Sequence, residues 1–222
     1  RSKTDLFIVK KNYISEITRR NRMTDNEKTL DIIFGRWRSQ ILYAGVKLGV
    51  FDCVNSFPKK ASEIAKQLNL DYSLGYRLLR ALGSLGLLRE DVNRNFSITA
   101  QGELLGKDHP QTLRGIALLE EGEEHYALWK HLPSMIMDGK QNAFLREYGK
   151  KLFEYTDGNP PYREVFNEAM SSYSSIQTVW ISEALEGYNF SKIQHVCDVG
   201  GGQGHLLCSL LVKYSHLKGS VL

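Results

Sequence analysis

Cysteine is scarce in this chain: Cys53, Cys197 and Cys208 are its three, odd in number and widely spaced. None forms a C-x-x-C pair, which excludes the spacing of a disulfide scaffold or a cysteine zinc site and suits a reducing cytoplasmic compartment. Long apolar runs are missing too. No stretch approaches the roughly 18 residues of a membrane span, and the first residues lack the apolar core of a secretory signal. His125 and His131 show no metal-ligand spacing with a carboxylate, so both read as polar surface or helix-end residues and no metal site is expected.

What is present is ordinary for a globular protein. The chain has 222 residues, 42% of them hydrophobic and 24% charged. That is enough for one large or two small domains with a proper core. The net charge is +4, but residues 1–22 hold seven bases (Arg1, Lys3, Lys10, Lys11, Arg19, Arg20, Arg22) against Asp5 and Glu16. The rest of the chain is therefore close to neutral. The basic stretch reads as a solvated extension or linker rather than a nucleic-acid arm.

Thr24 to Glu27 has the capping-box pattern, with each side chain satisfying a backbone donor of the other. The helix it opens carries Leu30, Ile33, Phe34, Trp37, Ile41, Ala44 and Leu48 on one stripe, with core as the default role for Phe34 and Trp37, and Gly49 as its stop. From Pro58 to Leu105 the pattern changes. A helix over 62–68 is followed by one capped by Asp71, with Leu74, Leu78, Leu82 and Leu85 on one face and Gly86 at its end. Leu87-Leu88 and Phe96 to Ile98 then read as strands about a polar turn over 92–95. Helix, helix, strand, turn, strand is a winged-helix arrangement. Its second helix offers Arg77 and Arg80 but also Tyr72, Gly75 and Tyr76, in a body near neutral charge. Packing or dimerisation suits it better than DNA reading, and no nucleic-acid partner is expected.

Residues 107–155 read as helices and loops. Pro160 and Pro161 suit the first turn of a long helix reaching about Leu185, with Tyr162, Phe166, Ala169, Met170, Tyr173, Ile176 and Trp180 as its stripe. It leads into His195 to Gly204, which reads D-x-G-x-G-x-G from Asp198 after a short apolar run. This describes a buried strand opening through a glycine loop into a helix, where Leu206, Leu207, Leu210 and Leu211 start the next element. Gly219 to Leu222 look like the start of a second strand.

Two cofactor classes use such a loop. The dinucleotide fingerprint needs G-x-G-x-x-G, and here its third position falls on His205 or Leu207. The observed spacing, with an acid two residues before the first glycine, fits S-adenosylmethionine better. That cofactor carries an amino group and a sulfonium, so a carboxylate such as Asp198 is electrostatically apt. A glycine turn with no ligand is the plain alternative, at a cost in unfolded-state entropy.

With these residues laid out, the chain resembles S-adenosylmethionine-dependent O-methyltransferases of the caffeate and acetylserotonin (hydroxyindole) type. The stretches that carry the resemblance are Lys47 to Asp52, Tyr76 to Gly86, Phe166 to Met170 and Asp198 to Gly204. The resemblance implies a mostly α fold with a winged-helix dimerisation domain over 23–105. A helical connection lining the substrate pocket follows over 106–190. The beginning of an α/β doubly wound (Rossmann-like) methyltransferase domain then occupies 191–222. It implies that Asp198, Gly200, Gly201, Gly202, Gly204 and Ser174 hold the cofactor, and that Tyr162, Phe166 and Met170 line the pocket of a small hydroxylated, aromatic acceptor. It also implies a cytoplasmic homodimer with no membrane association.

The resemblance has a gap. In the family a histidine removes the acceptor's proton, and none of the six histidines here occupies its place, so no catalytic residue is assigned. The chain is expected to be part of a longer protein and not to turn over substrate alone. Two other readings stay open. One is a homologue with the same fold and cofactor but different chemistry. The other is a non-catalytic dimerisation or docking module.

Overall fold

The computed structural model describes residues 23–55, 57–202 and 204–222. The basic extension over 1–22 lies outside the described residues. Contacts divide the chain into two compact units, one through Gln40 and one from Ile41 to Leu222.

In the first unit the Thr24 capping box forms as the sequence predicts. The Thr24 hydroxyl accepts from the Glu27 backbone N–H at 3.2 Å, and the Glu27 carboxylate accepts from the Thr24 N–H at 2.7 Å. The helix it opens is shorter than expected: it runs Asp25–Ile33, breaks at Phe34, and a second helix runs Gly35–Lys47 into the second unit. Gly35 is the reason, since glycine costs roughly 1 kcal/mol relative to alanine inside a helix. Phe34 and Trp37 stack with ring centroids 4.4 Å apart and are 40% and 58% exposed, so the core role expected of them is corrected.

In the second unit, Gly49 ends the Gly35–Lys47 helix in the left-handed region at φ +73°. Helices Val50–Cys53, Ala61–Gln67 and Tyr72–Ser84 then surround a small antiparallel sheet. The sheet order is β1 (Lys59–Lys60), β3 (Asn95–Ile98), β2 (Leu88–Glu90). The hairpin β2–β3 is legible in the sequence. The two-residue β1 is not, because a pair of lysines carries no strand pattern. The Asp71 cap is present, its Oδ1 accepting from Leu74 N at 2.8 Å. Burial on that helix falls on Gly75, Leu79 and Leu82, while Leu74 is largely exposed, which corrects one end of the expected stripe. Leucines fill both candidate stripes; the close approach of Leu70 and Ala65 to Gly75 selects between them.

The core of this region is Val50, Phe51, Ile64, Leu79, Leu82 and Phe96, with Tyr76 meeting Phe96 edge-on. Tyr76 also donates to Glu90 at 2.8 Å, fastening the helix to β2. Beyond the sheet the chain is helical: Arg114–Glu120, Glu123–Tyr126, Leu132–Asp138, Ala143–Tyr148, Leu152–Gly158 and Pro160–Ala184. The last is the long helix the prolines announce, with the Asn159 side chain accepting from Tyr162 N. It packs closely on Arg114–Glu120. A Cβ added at Gly115 would meet the backbone of Glu168 and Ala169 at 2.6 Å, and Ala169 is fully buried. Arg114 Nη1 donates to both Glu168 carboxylate oxygens at 2.6 and 2.7 Å across the same seam. The chain then forms β4 (His195–Asp198), helix His205–Lys213 and β5 (Lys218–Val221). No helix among the described residues is long and apolar enough to cross a membrane.

Candidate functional site

Strands β4 and β5 pair in parallel, from His195 opposite Lys218 to Asp198 opposite Val221. A parallel pair needs a crossover, and helix His205–Lys213 supplies it, burying Leu207 and Leu210. The strand is not buried as expected: His195 and Cys197 are exposed and Val196 and Asp198 half-buried. Parallel strands become buried when other elements cover both faces, and this sheet has two strands.

The turn from β4 into the helix accounts for its glycines one by one. Gly200, Gly202 and Gly204 have φ of +75°, +54° and +74°, a region costing L side chains roughly 1–2 kcal/mol. Gly201 differs: a Cβ there would press on the Asp198 carboxyl group, which would have to turn aside. No heavy atom lies within 4 Å of a Cβ built on Gly200 or Gly202. The loop is closed by Gly204 N donating to Gly201 O at 2.8 Å, and anchored to the next strand by Gly200 N donating to Leu222 O at 2.9 Å. The result is an acid at a strand end beside bare backbone with open space over it.

Across that space stands helix Pro160–Ala184. Asn167, Met170, Ser171 and Ser174 lie on one of its faces, and with Gly202 and His205 they line a cavity of about 290 Å³. Three predicted site residues, Met170, Ser174 and Gly202, therefore meet in one place although they are far apart in sequence. Asn167, Ser171 and His205 join them without having been singled out. Their signal was available, since Asn167 and Ser171 follow helical spacing from Ser174 and His205 directly follows the loop.

Tyr162 and Phe166 lie on a different face of the same helix. Tyr162 is buried with Leu119 and Ala169, and Phe144, Leu152, Tyr155 and Phe166 pack around them. The Tyr162 hydroxyl lies 2.8 Å from His125 Nε2, and the Glu120 carboxylate lies 3.5 Å from His125 Nδ1. Tyr173, three turns along, donates to Glu120 at 2.9 Å. Burial pushes the Tyr162 phenol well above its ordinary range, helped by the charge of Glu124. Burial and the bond to Glu120 push Tyr173 up to about 12. Both tyrosines thus stay neutral hydroxyls near neutral pH. His125 lies in the last turn of helix Glu123–Tyr126, the helix-end place the sequence allows, but its side chain is largely enclosed and bonded rather than on the surface. A histidine joined to partners 5 and 37 positions away leaves no local pattern to read. Among the described residues no group of three His, Cys, Asp or Glu could hold a metal ion.

Residues 30–108 match an O-methyltransferase dimerisation domain, and residues 129–222 match an O-methyltransferase domain. A phenazine O-methyltransferase of Lysobacter antibioticus is 34% identical over 191 residues, covering 86% of this chain and 54% of that protein. The solved structure of LaPhzM superimposes with a TM-score of 0.79 at 31% identity, covering 89% of this chain and 58% of that one. Human N-acetylserotonin methyltransferase in complex with SAM shares the fold, with a TM-score of 0.78 at 24% identity over 90% of this chain and 60% of that one. The chain spans about half the length of the curated relatives it matches. It belongs to the O-methyltransferase family in which a dimerisation domain precedes the methyltransferase domain.

Proposed function

We propose that the whole protein transfers a methyl group from S-adenosylmethionine to a hydroxyl of a small aromatic molecule. The observation that carries this reading is the cavity in which Met170 and Ser174 meet Gly202 and His205. The donor set fits the cofactor. Asp198 offers a carboxylate to its cationic amino group, and Ser174 offers a hydroxyl to its carboxylate. Gly200, Gly201, Gly202 and Gly204 let it lie against the backbone. When bound, the cofactor supplies an electrophilic methyl group on a sulfonium. The residues of this chain bind and orient, which is where most of the rate in such a transfer arises. Tyr162, Phe166 and Met170 form the acceptor's side of the site.

The domain limits follow the same reading: a winged-helix dimerisation domain over 23–105, a pocket-lining helical connection over 106–190, and the start of the cofactor domain over 191–222. The winged-helix assignment is supported by helices Ala61–Gln67 and Tyr72–Ser84 leading into the β2–β3 hairpin. A homodimer is supported by the dimerisation-domain match and by the exposed Ile32, Ile33, Phe34 and Trp37. A cytoplasmic setting is supported by three free cysteines, two of them exposed.

The test is calorimetric titration of S-adenosylhomocysteine into the whole protein and into Gly202→Val. Binding to the wild type and its loss in the variant are expected, because a β-branched residue is strained at φ +54°. A wild type that does not bind overturns the cofactor assignment.

A further inference from the structure

A second cavity, of about 200 Å³, borders His125, which bonds to Tyr162. Trp129, Leu132 and Met135 form much of its wall, and Glu120 and His125 are its ionisable groups. Its volume is below the roughly 300 Å³ at which pockets for drug-sized ligands begin, so it suits one or two fused rings. An indole, a thioether and branched aliphatic groups are the surfaces on which a flat apolar ring gains most.

On the polar side of the cavity Glu120 is the acid, with His125 beside it. Glu120 contributes a carboxylate, already accepting from Tyr173 and lying beside His125 Nδ1. Glu124 adds negative charge that is felt at Tyr162 and Tyr148, and Glu123 adds to it at Tyr148. No lysine or arginine lines the cavity. The nearest cation in sequence, Lys130, is held by Glu147 at 2.6 Å, which also binds His131. A ligand carboxylate entering here would face Glu120 with no lysine or arginine to offset the repulsion. A ligand hydroxyl or protonated nitrogen would find an acceptor.

The geometry points to a charge-selective aromatic pocket that adjoins Tyr162 on the acceptor's side of the site. The Glu120–His125 side of this cavity takes flat aromatic molecules that are neutral or cationic and donate a hydrogen bond, and it rejects aromatic carboxylates. This names the substrate class within the methyl-transfer reading and rests on it. Glu120 acts as a specificity-determining residue, with Tyr162 and Tyr173 of the long helix holding it and His125 in place.

Three probes of one ring system test this by titration calorimetry on the whole protein: 2-naphthol, 2-naphthylmethylammonium and 2-naphthoate. The first two are expected to bind at least about tenfold more tightly than the carboxylate, an energy difference of about 1.4 kcal/mol. Glu120→Gln should narrow that gap to about threefold, and Met135→Trp, which fills the cavity, should abolish binding of all three probes. The proposal is overturned if naphthoate binds within threefold of naphthol, or if the gap survives in Glu120→Gln. It also falls if Met135→Trp binds normally or no probe binds. The wild-type ranking decides the matter even if a variant fails to fold. S-adenosylhomocysteine titrated into the same sample separates the two ideas: its retained binding with failed probe selectivity sinks the pocket alone, and its failure with intact selectivity sinks the cofactor site alone.

Discussion

The hairpin region around Phe96 and the glycine-loop region around Asp198 are built on opposite plans. In the first, side chains carry the structure: Val50, Phe51, Ile64, Leu79, Leu82 and Phe96 are all but inaccessible to solvent. In the second, backbone geometry carries it. Three residues of the loop have positive φ, a fourth lies against the Asp198 carboxyl group, and the strand leading in is half-exposed. A packed region tolerates little change in volume but some change in backbone. A loop shaped by dihedrals is the reverse. The first plan serves stability, and the second leaves a surface on which a ligand can lie.

The largest effect that would separate the two plans is Phe96→Ala. Removing a fully buried ring should cost roughly 3–5 kcal/mol of unfolding free energy, read from urea denaturation. A loss under about 1 kcal/mol would mean that the hairpin core is not what holds this region.

Two identical glycine substitutions sharpen the contrast. In Gly102→Ala the new methyl collides with the Leu87 carbonyl oxygen, a clash worth roughly 1–3 kcal/mol of stability, with affinity for S-adenosylhomocysteine unchanged. In Gly202→Ala the methyl meets nothing within 4 Å, so the fold should lose only the roughly 1–2 kcal/mol of a left-handed side chain. Cofactor affinity should fall with it. Equal affinity losses in the two variants, measured by calorimetry, would erase the distinction.

The smallest effect lies in the hairpin turn. Asp91 accepts from the backbone N–H groups of Asn93 and Asn95 and from the Asn95 side chain. The bonds from Asn95 hold its carboxyl group below the ordinary value of 3.8. A carboxyl depressed in the folded state contributes stability above its unfolded value, and that contribution is lost as pH falls through the folded one. The Tm difference between wild type and Asp91→Asn should therefore be greatest near neutral pH and shrink on acidification below about pH 4. A difference that grows in acid would contradict the assignment.

Legibility in the sequence followed the same division. Features set by local chemistry were readable: the Thr24 and Asp71 caps, the stops at Gly49 and Gly86, the start of the long helix at Pro160, and the glycine loop with its following strand. Features set by contact between distant segments were not. The break at Phe34 sits inside a continuous apolar stripe. The choice between Leu74 and Leu79 as the buried side needed Leu70. The pairing of Lys59 and Lys60 with β3 has no periodicity. At the site, Asp198 and the glycines could be found from spacing alone, whereas the Glu120, His125 and Tyr162 cluster exists only once two helices meet. The family resemblance supplied Tyr162, Phe166 and Met170 for the acceptor side, but neither Glu120 nor His125.

The helix Pro160–Ala184 has 25 residues and by its rise is a rod of about 37 Å. One face presents Met170 and Ser174 to the glycine loop; another holds His125 through Tyr162 and Glu120 through Tyr173. The first cavity is thus built on this beam and the second touches it through the partners of His125 and Glu120, the beam being clamped to a neighbour at Gly115 and Arg114. An occupant that turned or slid the beam would reach the other cavity through Tyr162 and Tyr173. Thermodynamic linkage makes such an influence equal in both directions, so the two occupants share one mechanical equilibrium.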